Sequence, residues 1–135
     1  MGEKLIWYLL PLGFFIAFLC SVAAFPDEPT VVLAIGESAK VFGTEASVSF
    51  VDVVEDSRCP TGTDCIWAGD AVVRVRLDMP NIPQSSYALH ANKEFGHEIV
   101  LEGARILLVS LAPYPTADAV PRHDKYRITL LFKRK

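Results

Sequence analysis

The chain has 135 residues, and the first two dozen are apolar enough to need a separate explanation, which leaves roughly 110 for a fold: one ordinary domain with one core. The N-terminus inflates the apolar share of 51%, and the remainder alternates apolar with polar residues, so a polytopic membrane protein is excluded. The formal net charge of −3 gives no global field that would draw the chain to nucleic acid or to an anionic membrane.

In chain order, the short charged start Met1-Gly2-Glu3-Lys4 is followed by an uncharged run from Leu5 to Cys20, and then by the small residues Ser21-Val22-Ala23-Ala24. This is the pattern of a signal peptide, with cleavage expected after Ala24. The run approaches the ~20 residues that span a bilayer, so an uncleaved signal anchor is the alternative. Lipidation of Cys20 is disfavoured, because Leu19 stands where a lipobox has a small residue. Residues 1–24 thus form a signal peptide or anchor. Residues 25–29, with Pro26 and Pro29, read as an extended leader, and residues 30–135 as a single domain.

From Thr30 onward, short β-branched runs alternate with turn residues. Residues 30–35, 38–42 and 46–54 read as strands, with turns at Gly36 and Gly43. Residues 70–79 carry the clearest strand signal: Ala71, Val73, Val75 and Leu77 alternate with residues that include Arg74 and Arg76. Residues 80–86, with Pro80 and Pro83, read as a loop. Residues 87–91 and 97–101 read as a hairpin about the turn 92–96. Residues 104–111 and 126–133 supply two more strands, joined by the proline-rich stretch 113–121. No segment after residue 25 has ten residues of helical periodicity. The expected fold is therefore all-β, a single antiparallel β-sandwich of about seven to eight short strands. The aromatics Phe42, Phe50, Tyr87, Phe95, Tyr126 and Phe132 are expected to fill its core.

Once the export segment and Cys20 are set aside, Cys59 and Cys65 remain, an even pair in an oxidising compartment, and they are expected to form a disulfide. It would close a loop of about seven residues, worth ~2–2.5 kcal/mol on the chain-entropy account. The Cys-x5-Cys spacing is not that of a thioredoxin-like redox motif.

The segment around this pair is the most distinctive in the chain. It contains Asp56-Ser57-Arg58-Cys59-Pro60, followed closely by Cys65-Ile66-Trp67-Ala68-Gly69. Here the sequence resembles a group of small exported bacterial proteins of unknown function that share both elements. The resemblance covers about a tenth of the chain. It implies export, a β-rich domain and a loop stapled by its own disulfide, and it carries no catalytic role across.

Three readings of this loop follow. As scaffold, Pro60 and Gly62 set turns, Asp56 caps backbone amides, Trp67 packs on the bridge at the core edge, and Arg58 pairs with Asp56 or Glu55 in a surface contact worth about 0–1 kcal/mol. As a cation site, Asp52, Glu55, Asp56, Asp64 and Asp70 supply the hard oxygens that calcium requires, although no EF-hand spacing is present. As a recognition element, the rigid loop presents Asp56, Arg58, Asp64, Trp67 and Asp70 to a protein or small ligand.

The acids are concentrated: from Glu45 to Asp70 there are six against Arg58 alone, while from Arg122 onward there are six bases against Asp124. Two solvated faces that attract each other across the fold are the expected explanation, and an acidic cation site is the alternative. His90, His97 and His123 raise a zinc or copper site, or a small secreted enzyme, but they lack ligand spacing. No nucleophile elbow or phosphate loop is present. The expectation is a non-enzymatic binding or interaction module that is periplasmic, envelope-associated or extracellular. It would have no nucleic-acid partner, and its only membrane contact would be through a retained anchor. A structural calcium-binding domain is the first alternative, and a histidine-based metal protein or enzyme the second.

Overall fold

The computed structural model describes residues 28–135; the expected export segment and the first part of the leader lie outside the described residues. Eight strands form two four-stranded antiparallel sheets. One has the order β1 (Thr30–Ala34), β8 (Arg127–Arg134), β7 (Ala104–Ala112), β6 (Glu98–Leu101). The other has the order β2 (Ser38–Lys40), β3 (Ser47–Asp56), β4 (Ala71–Met79), β5 (Ile82–His90). Both contribute to one apolar core, as expected of a sandwich.

Strand β4 shows why the sequence pattern yields this packing. Ala71, Val73 and Val75 are 0% exposed and Leu77 1%, while the intervening Arg74 and Arg76 face water. Ile128, Leu130 and Phe132 of β8 meet this layer from the opposite sheet. In β7 the alternation runs Ala104, Ile106, Leu108 and is then reset: Leu108 lies opposite Leu130 but Ser110 lies opposite Thr129, so Val109 is an extra residue in a β-bulge. The bulge returns Leu111 to the core and turns the end of β7 towards the segment between β3 and β4.

Three expectations are corrected. Residues 80–86 are not a loop, because β4 turns at Pro80 and Asn81 and continues directly into β5, with Met79 opposite Ile82. Asn81 takes φ 62, a conformation asparagine tolerates better than most side chains. Strand β5 lies at a sheet edge, where Pro83 is allowed and neither face must be strictly apolar, which is why it lacks alternation. Nor do β5 and β6 form a hairpin: β5 pairs with β4, β6 pairs with β7, and residues 91–97 cross from one sheet to the other. Among the aromatics, Phe50, Tyr126 and Phe132 are buried and Tyr87 is partly so. Phe42 and Phe95 are on the surface, beside Arg134 and His90 respectively.

Candidate functional site

Residues 57–70 leave the end of β3 and return to β4 at one end of the sandwich. Their base is closed by two backbone bonds: Ser57 N–H donates to the Asp70 carbonyl at 2.7 Å, and Cys59 N–H to the Ala68 carbonyl at 2.9 Å. Between these rungs the strands come so close that a Cβ on Gly69 would lie 2.0 Å from the Ser57 carbonyl oxygen. Gly69 also has φ +72, so both space and backbone require glycine there.

Beneath the base lies Arg58, 7% exposed. Its Nε and Nη2 donate to the two carboxylate oxygens of Asp56, each at 2.7 Å. Nη1 donates to the Leu111 carbonyl at 2.6 Å, and Nη2 also donates to the Pro113 carbonyl at 2.9 Å. The Tyr126 hydroxyl donates to Asp56 Oδ2 at 2.7 Å, and the Tyr114 ring centre stands 4.6 Å from the guanidinium carbon. The pair is therefore not the surface contact expected from sequence. It is a buried, bidentate ion pair that joins the end of β3 to the end of β7 and the residue before β8, with the planar guanidinium bonded to the end of β7 beyond the stretch that pairs with β6.

Burial by itself raises the Asp56 carboxyl. The hydrogen bonds from Arg58 and Tyr126, with the guanidinium charge, outweigh it and hold the group below its ordinary value. Burial pushes the Tyr126 phenol up, and its bond to Asp56 with that carboxylate's charge takes it to about 12. A raised folded value stabilises the fold fully below the ordinary value of 10 and is lost as pH climbs from there towards 12. Tyr126→Phe is expected to cost about 1–3 kcal/mol at neutral pH and to flatten the fall in stability above about pH 10, read by chemical denaturation at a series of pH values.

Three further links hold the loop. The Asp70 carboxylate receives Asn92 N–H at 2.9 Å and lies 2.6 Å from His90 Nδ1. Thr61 N–H donates to the Pro115 carbonyl, and Ala117 N–H to the Thr61 carbonyl, which ties the loop to the proline-rich connection. Cys59 and Cys65 are joined in the expected disulfide, with Cα atoms 5.9 Å apart. Beside the base, a cleft of about 480 Å³ opens among Arg58, Gly69, Asn92, Lys93, Leu111 and Tyr114.

Above this anchored base the side chains point outwards. Trp67 is 58% exposed and Ile66 fully so at 107%, which corrects the expectation that the indole lies at the core edge. The short span from Cys65 to the bonded Ala68 leaves Trp67 no route back to the core.

The acids proposed for calcium do not converge. Asp52 faces Arg74 across the sheet at 3.3 Å, Asp56 serves Arg58 and Tyr126, and Asp70 serves His90 and Asn92, while Glu55 and Asp64 are exposed. Nor do the histidines: His90 is held by Asp70, His97 lies 3.3 Å from the Phe95 carbonyl, and His123 opens the 3-10 turn His123–Lys125. Among the described residues, no group of three or more His, Cys, Asp or Glu side chains is placed to hold a metal. Sequence reasoning found Asp56, Arg58 and the disulfide, but not Tyr126, Tyr114 or the Leu111 carbonyl, whose roles arise from contacts more than fifty residues away in sequence. The chain matches no family model, no curated protein and no solved structure.

Proposed function

We propose that this is an exported, non-enzymatic interaction module that docks a protein partner on the tip of its stapled loop. The observation that carries the reading is the pair Ile66 and Trp67, held in water at 107% and 58% exposure on a loop fixed by a disulfide, a buried ion pair and a backbone ladder. A loop already ordered loses little entropy on binding, and tryptophan is enriched among the residues that dominate interface energies. The disulfide fits an oxidising, exported environment. The chain enters the domain beside the end of β8, where Glu28 meets Lys133 and the Pro29 carbonyl accepts from Phe132 N–H, whereas the loop base packs on Tyr126 before the start of β8. Glu28 and Pro29 thus join the domain at the end opposite the loop.

The test is a photo-cross-linking residue placed at Ile66 in the full chain produced in cells, with the exposed strand residues Val32 and Val100 as control positions. A discrete protein adduct from position 66, absent from both controls and lost when Trp67→Ser is added, is the expected result. No adduct, an adduct shared with the controls, or a lipid adduct alone would overturn the reading.

A further inference from the structure

The disulfide sits at the margin of its own loop. Cys65 is exposed and Cys59 half-buried, and the contacts that fix the base lie outside the ring that the bond closes. The Ser57 to Asp70 bond, the link from Cys59 N–H to Ala68, and the Asp56–Arg58–Tyr126 cluster do not depend on the sulfurs. Within the ring, Thr63 N–H donates to the Pro60 carbonyl at 3.2 Å and the Thr63 hydroxyl to the same oxygen, while Thr61 is fastened to the proline-rich connection. Residues 64–67 have no such backbone bond, and the bridge is what fixes them relative to the base.

From this division we infer that the Cys59–Cys65 bond is a reducible switch on the loop tip, able to open while the sandwich stays folded. The use of that switch to control docking rests on the function proposed above. The co-reactant is a dithiol of the Cys-x-x-Cys type found in thiol–disulfide oxidoreductases. One of its thiolates attacks the exposed Cys65 sulfur, the Cys65–Cys59 bond breaks, and Cys59 leaves as a thiolate that takes up a proton. The reductant's second thiol then attacks the mixed disulfide at the reductant's own sulfur and releases Cys65, which is protonated in turn. Two electrons pass to the protein, and the reductant ends as its intramolecular disulfide. An exposed bridge of this kind belongs to the more readily exchanged class, whereas structural bridges resist reduction. Opened, residues 64–67 lose their fixed position, and the preorganisation that favours docking goes with it.

The experiment treats the folded Trp7→Phe full chain with dithiothreitol under native conditions, counts alkylated cysteines by peptide mass, follows amide hydrogen exchange in β4 and β8, and reads the mobility of the tip from the fluorescence anisotropy decay of Trp67. The expected result is alkylation of Cys59 and Cys65 together with a fast local component that appears in the Trp67 anisotropy decay, unchanged exchange protection in β4 and β8, and recovery on reoxidation. Thiols that appear only as β4 and β8 lose protection would identify the bond as a fold staple and overturn the inference. An unchanged Trp67 anisotropy decay after reduction would overturn it as well. A Cys59→Ser, Cys65→Ser double variant with intact β4 and β8 protection checks the same point without a reductant. Neither readout involves a partner, so failure here is separate from failure of the cross-link at position 66.

Discussion

Asp56→Ala is expected to destabilise the domain by about 3–5 kcal/mol, because it strips the Arg58 guanidinium of its carboxylate while leaving the cation buried. The carbonyls of Leu111 and Pro113 still accept from Arg58, but they carry no charge to balance it, and Tyr126 loses its acceptor as well. For a domain of this size the loss corresponds to a fall in melting temperature of roughly 15–30 °C, against total stabilities of about 5–15 kcal/mol. The double variant Asp56→Ala, Arg58→Met is expected to be more stable than Asp56→Ala alone, since it removes the unpaired charge along with the pair. A double variant no better than the single would show that the cation is not the source of the cost. The ion pair also sets the acid limit. A folded carboxyl held below its ordinary value gives the fold stability that is complete above the ordinary value and is lost as pH falls from there through the lower folded value, so wild-type stability should decline below about pH 4. In the double variant this part of the acid sensitivity should be gone.

Gly69→Ala is the second large effect, expected at about 3 kcal/mol or more. Its Cβ would stand 2.0 Å from the Ser57 carbonyl oxygen and 2.8 Å from the Arg58 Cα, and both are backbone atoms that cannot rotate away. The base of the loop would have to open, weakening the Ser57 to Asp70 bond and lifting Arg58 from beneath it. Gly62 provides the control. It too has positive φ, +88, but nothing lies within 4 Å of its Cβ position, so Gly62→Ala should cost only about 1–2 kcal/mol, the conformational penalty alone. Urea denaturation of the two variants side by side separates the steric cost from the conformational one.

How much of this could be read from the residues depends on where each one gets its environment. Strand β4 was legible in full because it lies inside a sheet with one face in the core, and that environment forces alternation. Strand β5 was not, because an edge strand can carry Pro83, Gln84, Ser85 and Ser86 without burying any of them deeply. The crossing from β5 to β6 reads as a hairpin because a short stretch that opens on Asn92 and closes on Gly96 looks the same whether the flanking strands pair or part. The disulfide followed from the parity of the cysteines, a property of the sequence alone.

Arg58 shows the opposite limit. A charged residue among acids reads as surface, and only the fold reveals that the bulge in β7 aims the Leu111 carbonyl at it. Trp67 was misjudged for a related reason: a large apolar side chain is expected to find a core, and what prevents this is the bonded Ala68 next to it and the bridge two residues before. The acidic set reads as one cluster along the chain, yet strand direction and the loop ladder send Asp52, Asp56 and Asp70 to three separate partners.

The account depends on an indole that is exposed and at the same time immobile. Trp67 and Trp7 are the two tryptophans of the chain, so in a Trp7→Phe full chain all tryptophan emission comes from the loop. Time-resolved fluorescence anisotropy then reads both properties at once. The account predicts the red-shifted emission of a water-exposed indole with an anisotropy decay dominated by tumbling of the whole domain. Blue-shifted emission from a buried ring, or a decay dominated by fast local motion, would contradict it.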